Sequence, residues 1–242
     1  MARKRKVKPK ANLSLAEVER ALAFRQPGLS FEETDEAIVG HGEYMVHDGA
    51  HADGPLARFD LLLVFPKTYP ELEPLVIERG GAIERIADRH MYSNGACCTC
   101  VWEEWRALNE DASVKAFCDG PLHNFFLGQV YFDAHEEWPF GERAHGSDGM
   151  VEAAEALLGR DLDQAAALRY LQVVSASATK GHWPCPCGSR KKLRDCCADD
   201  VAALRRAADP IQAASLLKRL RHQAKSEREA DIRVQKRTAA GG

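Results

Sequence analysis

Apolar residues recur at helical spacing near the start of the chain. Leu15, Val18, Leu22 and Phe24 form a stripe in "LSLAEVERALAF", and Ser14 with Glu17 makes a capping-box pattern. This predicts a helix that "PGLS" ends. The period then changes. "EAIVGHGEYMVHDGA" and "ARFDLLLVFP" read as strands joined by the Gly- and Pro-rich "DGAHADGP", and "LVIERG" reads as a third, short strand. Between the second and third, "KTYPELEP" carries Pro70 and Pro74 and cannot continue a ladder. Helical spacing returns afterwards. "VKAFCDGPLHNFFLGQVYF" supplies one or two buried helical segments, and "MVEAAEALLGRDLDQAAALRYLQVVSA" a pair of helices broken at Gly159. "ADDVAALRRAADPIQAASLLKRLRHQAK" is helical with a break at Pro210. No internal repeat is visible.

Composition changes this picture little. The 242 residues are 45% hydrophobic, ordinary for a globular core, and the net charge of -3 gives no global pull toward nucleic acid or membrane. The charge is uneven: "MARKRKVKPK" and "LLKRLRHQAKSEREADIRVQKR" are both basic. Residues 1–11 read as a solvated tail, and the basic ends leave contact with nucleic acid open. No apolar run approaches the roughly 20 residues of a membrane span. The basic opening is not followed by an apolar stretch, so no secretory signal is expected, and a cytoplasmic location follows. There the eight cysteines stay reduced, which turns attention from disulfides to metal ligation or catalysis.

The cysteines fall into two clusters. In "PCPCGSRKKLRDCC", Cys185 and Cys187 form one pair and Cys196 and Cys197 another. Four thiolates are the ligand set of tetrahedral structural zinc, and Pro186, Gly188 and Ser189 supply a tight turn between ligands. A segment this short cannot build a core of its own, and a metal supplying on the order of 10 kcal/mol explains why it folds. This stretch resembles the SEC-C motif, a small accessory module that binds zinc with four cysteines and is associated with protein or nucleic-acid contacts.

The other cluster is "RHMYSNGACCTCVWEEW", with Cys97, Cys98 and Cys100. His90 would make a fourth ligand of a second metal site, but no second pair completes a familiar knuckle. Upstream, "FDLLLVFPKTYPELEPLVIE" resembles the central segment of the ubiquitin-conjugating (UBC) fold through Phe65, Pro66, Tyr69, Pro70 and Pro74. In that family a His-led loop, a glycine, the catalytic cysteine and a tryptophan follow, as do His90, Gly95, Cys98 and Trp105 here. The resemblance covers roughly residues 12–160 and implies that Cys98 is a nucleophile. The family's His-Pro-Asn is His90-Met91-Tyr92 in this chain, so the oxyanion donor is expected from His90, with Asn94 as the alternative.

The expected architecture is α+β. A UBC-like antiparallel sheet flanked by helices spans 12–160, and a helical linker spans 161–178. A SEC-C zinc module follows over 179–200, and a basic helical tail over 201–242. The expected function is a thioester carrier in a bacterial modification pathway. Cys98 would accept an acyl group from an activating enzyme and pass a ubiquitin-like modifier to a lysine of a target protein, with both partners in trans. The alternative is a non-enzymatic adaptor whose zinc-stabilised module binds protein or nucleic acid. A third class is a protein with two metal sites. Among the remaining residues, Cys97 and Cys118 read as core, and Cys100 as a resolving thiol in a redox reading. "EEWPFGERAHGSDGM" reads as a loop packed by its aromatics, with His145 or Arg143 near Cys98 as the sharper alternative. His41, His47 and His51 read as solvated, and Gly241-Gly242 as a frayed end.

Overall fold

The computed structural model describes residues 12–49, 54–141 and 144–240. In chain order the elements are α1 (Leu15–Leu22), β1 (Leu29–Glu33), β2 (Ala37–Val46), β3 (Ala57–Pro66) and β4 (Leu75–Glu78). Then come α2 (Trp102–Leu108), α3 (Val114–Phe117), α4 (His123–His135), α5 (Gly146–Leu158), α6 (Gln164–Ser175), α7 (Ala198–Ala207) and α8 (Pro210–Ala240). The fold is mixed α+β. It divides into two compact units: residues 1–99 with 111–140, and residues 100–110 with 141–242. The readings made of residues 1–11, His51, Arg143 and Gly241-Gly242 fall outside the described residues.

The first unit is built on a four-stranded antiparallel sheet in the order β1-β2-β3-β4. Alternation sets its faces. Phe59, Leu61, Leu63 and Phe65 of β3 are buried, while Arg58 before them and Asp60 between the first two are exposed. Tyr44 lies opposite Phe59 in the register, and both rings pack on Phe126 of α4, at 5.3 and 4.8 Å. At the other end Phe65 meets Phe117 and Tyr69 edge-on, and the Tyr69 hydroxyl donates to the Ser113 carbonyl at 3.0 Å. Tyr69 thus fills the proline-bracketed corner.

Two expectations change here. Phe24, read as part of the stripe of α1, lies beyond its last turn and is 96% exposed. The chain turns away after Leu22, and the buried Gln26 side chain then clasps the Met45 backbone through both its amide groups. "LSFEE" is an edge strand that the pattern does not announce, because only Leu29 of its five residues is fully buried.

The second unit is helical. Ala153, Ala154, Leu157 and Leu158 of α5, Leu171 and Val174 of α6, and Leu216 and Leu220 of α8 share one core with Cys185 and Leu193. The stretch read as a linker contains α6, and the stretch read as a tail contains α8 and most of α7, whose first turn begins at Ala198. Asp163 caps α6 by accepting from the Ala166 N–H at 2.6 Å, and Arg205 of α7 donates to the Val173 and Val174 carbonyls at the other end of α6. Glu103 of α2 is 2% exposed and accepts from the Ser215 hydroxyl at 2.6 Å and from Arg219 at 3.1 Å. Among the described residues no helix is long and apolar enough to cross a membrane.

Candidate metal centre and candidate cysteine site

Residues 181–197 form a small hairpin closed by a short helical turn. Leu193 N–H donates to Trp183, Cys185 N–H to Lys191, and Arg194 N–H to Gly181, which pairs the two arms. Gly188, at φ +81°, and Arg190, at φ +64°, make the tight reversal between them. A side chain at position 188 would also press on the Arg169 guanidinium at 3.3 Å, so glycine suits the position twice. Cys196 follows the turn Leu193–Asp195, and Cys197 is the N-cap of α7. The N-terminus of that helix favours negative charge on the sulfur.

The result brings Cys185, Cys187, Cys196 and Cys197 together, with all four sulfurs within 4.8 Å of one another. The Sγ–Sγ separations include 3.3 Å for Cys185–Cys187 and 3.6 Å for both Cys187–Cys196 and Cys196–Cys197. Sulfurs about 2.3 Å from a tetrahedral zinc lie about 3.8 Å apart, so the spacing fits such an ion. The thiols are electrostatically divided. Hydrogen bonding from Ser189, then from Cys185, pulls Cys187 down to about 6. Burial pushes Cys185 up, and hydrogen bonding with Cys185 pushes Cys197 up. A divalent cation removes that conflict by stabilising every thiolate at once. Among the described residues this is the one group of three or more metal-ligating side chains whose donor atoms converge. The alternative of a second metal site at Cys97, Cys98, Cys100 and His90 gains no support from it.

The first cluster is a turn laid on the edge of the sheet. Glu78 N–H donates to Gly95, Cys97 N–H to Val76, and Tyr92 N–H to Ala96, so residues 95–97 extend the sheet beyond β4. The reversal uses Asn94, whose side-chain Oδ1 accepts from Ala96 N–H at 3.1 Å, and Gly95 at φ +85°. A Cβ on Gly95 would stand 2.8 Å from the Glu78 carbonyl oxygen, so only glycine fits without displacement. Cys97 is tucked against the sheet, and burial pushes its thiol up to about 12. Cys98 is half-buried, and its N–H donates to the His90 carbonyl at 2.9 Å.

His90 is held from behind. It adopts φ +51°, and its ring meets Trp138 edge-on at 5.2 Å. The preceding Arg89 donates to the fully buried Gln129 at 2.8 Å and to Asp133 at 2.7 Å, and its carbonyl accepts from Gln129. The Arg89 guanidinium also covers the Phe132 ring at 4.8 Å. Arg89 and Gln129 carry no motif, and only the contact between the turn and α4 reveals their role. Cys100 is half-buried, Cys118 is buried, and His145 is the N-cap of α5. His41 and His47 are exposed.

A further cavity of about 420 Å³ lies in the first unit, lined by Leu22, Arg25, Tyr44, His47, Asp119 and His123 among others. Burial holds the His123 imidazole below its ordinary value. The π-helical turn Cys118–Leu122 brings Asp119 to the rim, where it pairs with Arg25 at 2.7 Å. No spacing in the sequence announces this site.

No curated protein and no solved structure matches the chain. Comparison with known families does match residues 184–199, and the segment that gathers the four cysteines carries the SEC-C motif.

Proposed function

We propose that the chain is a thioester carrier of the ubiquitin-conjugating kind, with Cys98 as the nucleophile and a structural zinc on Cys185, Cys187, Cys196 and Cys197. The observation that carries the first part is the turn that holds Cys98 beside His90. Cys97 and Cys98 are both half-buried, burial pushes the Cys97 thiol up to about 12, and the Cys98 N–H donates to the His90 carbonyl at 2.9 Å. The order of helix, four antiparallel strands, turn and helices also agrees with what the resemblance implies.

In this reading the Cys98 sulfur attacks the thioester carbonyl of a modifier held by an activating enzyme. A new C–S bond forms, the activating enzyme's thiolate leaves, and a lysine amine of the target later displaces Cys98 in the same way. The oxyanion of each step needs a donor worth about 3 kcal/mol. His90 and the amide nitrogen of Asn94 are the groups for this task. Within the turn Asn94 accepts through its side-chain oxygen.

The test presents a ubiquitin-like modifier as its activating-enzyme thioester. Wild-type chain should form an adduct cleaved by added thiol, Cys98→Ser an adduct that resists thiol, and Cys97→Ser the wild-type adduct. Equal labelling of Cys98→Ala would falsify the carrier reading.

A second reading is favoured by the placement of the metal cluster. Cys185 and Leu193 belong to the core of the second unit, so a zinc there fixes the surface of the hairpin in one shape. The chain is then an adaptor that presents this surface to a partner. Cys196→Ser should abolish partner retention in a pull-down while Cys98→Ser leaves it intact.

A further inference from the structure

The cavity at the C-terminal end of α1 is walled by the first unit alone. Ala21 and Leu22 of α1, Tyr44 and Met45 of β2 and Cys118 of the π-helical turn give it an apolar lining. Its volume of about 420 Å³ lies within the range of clefts that take small organic ligands, about 300–1,000 Å³. Gln26 fixes part of the wall, because both its amide groups are consumed by the Met45 backbone, at 2.7 and 2.8 Å. Tyr44 is different. It is 2% exposed, yet among the described residues its hydroxyl has no hydrogen-bond partner. A buried tyrosine hydroxyl ordinarily finds one. The groups that act on it electrostatically, Cys118 and Asp119, both belong to the lining, so the hydroxyl faces the cavity. Burial pushes its pKa up, which keeps it a donor.

Charge at the mouth points to the sign of the ligand. Asp119 is paired with Arg25 at 2.7 Å and also with Lys115, so two cations meet one carboxylate. His47 and His123 add two imidazoles without a hydrogen-bond partner among the described residues. Burial holds His123 below its ordinary value. Asp119 opposes this, while His47 and Arg25 add to it. An incoming anion reverses that balance, because it gives the imidazolium a partner. A cation fits poorly. Asp119 is the one carboxylate in the described lining and is already answered twice. Among the described residues, His47, Asp119 and His123 do not converge as metal ligands do. An excess of one positive charge suits a monoanion, and a planar carboxylate accepts from several donors at once.

We infer that this cavity binds a small organic carboxylate, whose apolar body lies against Ala21, Leu22 and Met45 and whose anionic head accepts from the Tyr44 hydroxyl and the His123 imidazole. The inference goes beyond the carrier and adaptor readings and rests on neither Cys98 nor the metal.

The test titrates the full zinc-loaded chain with phenylpropionate by isothermal calorimetry, and compares the neutral phenylpropanol and the cationic phenylpropylamine. Wild type should bind phenylpropionate with a Kd of about 1 mM or below at neutral pH. Either comparison should bind about tenfold more weakly, because it gives the donors no charged acceptor. Binding should tighten about threefold or more from pH 8 to pH 6, as His123 takes up a proton against the bound anion, and His123→Gln should lose most of that dependence. Tyr44→Phe should weaken binding about tenfold, since it deletes a donor to a charged acceptor. Its melting temperature should be no lower than that of wild type, because the hydroxyl has no partner to lose. Ala21→Phe, which fills the cavity from α1, should remove binding while cooperative melting is retained. Cys98→Ser should bind as wild type even if it abolishes thioester formation, so the proposals fail separately. Four results would each overturn the inference: no saturable binding of phenylpropionate by wild type, equal binding of the alcohol, tighter binding of the amine, or wild-type affinity in Tyr44→Phe and Ala21→Phe. The amine result would assign the cavity to a cation held by Asp119.

Discussion

At the scale of single residues, the half-buried Cys97 carries a statement about pH and stability. The Cys97 thiol is raised to about 12 by burial, so it stays protonated in the folded chain where an unfolded chain would ionise it near pH 9. Its contribution to stability is therefore full below pH 9 and is lost as the pH rises toward 12. Urea titrations at pH 8 and 10.5 should show wild type losing more stability than Cys97→Ala across that interval. Iodoacetamide at pH 8 should label Cys98 well before Cys97, read by peptide mass spectrometry. Gly95→Ala meets both a positive φ and the Glu78 carbonyl. It should cost roughly 1–3 kcal/mol and displace the turn that carries Cys98.

Between elements, a few polar contacts do what apolar packing cannot. Glu103 is buried on α2 and is answered by Ser215 and Arg219 of α8. Arg219→Ala leaves that carboxylate buried with the serine alone and should destabilise the second unit by about 3 kcal/mol, measured by chemical denaturation. Arg219→Ala/Glu103→Leu should recover much of this, because the uncompensated charge is gone. Asp163→Ala removes the cap of α6 and should cost about 1 kcal/mol in the same assay.

For the molecule as a whole, the two units should answer metal removal differently. The hairpin has few apolar side chains of its own, but Cys185 and Leu193 reach the core of the second unit. Chelation should release one zinc per chain. It should also abolish amide protection over residues 181–197 and lower it in α6 and α7, leaving β2 and β3 protected in hydrogen exchange. Retained protection at Leu193 after complete metal removal would show that packing alone holds the hairpin.

The sequence by itself determined whatever depends on local spacing. The α1 helix, three of the four strands, the helix pair broken at Gly159 and the four cysteines that the structure gathers could all be read from it. Each follows from a period, a cap or a turn residue within a few positions. Tertiary structure decided what depends on distant partners. The edge strand Leu29–Glu33 exists because β2 offers it a ladder, and Phe24 is exposed because Gln26 ties the following chain to Met45. Residues read as a basic tail include Leu216 and Leu220, which are fully buried against helices far earlier in the chain. The clasp of Arg89 on Gln129 spans 40 residues. Hydrogen bonds and burial act through space, and spacing along a chain shows them only when both partners lie on the same element.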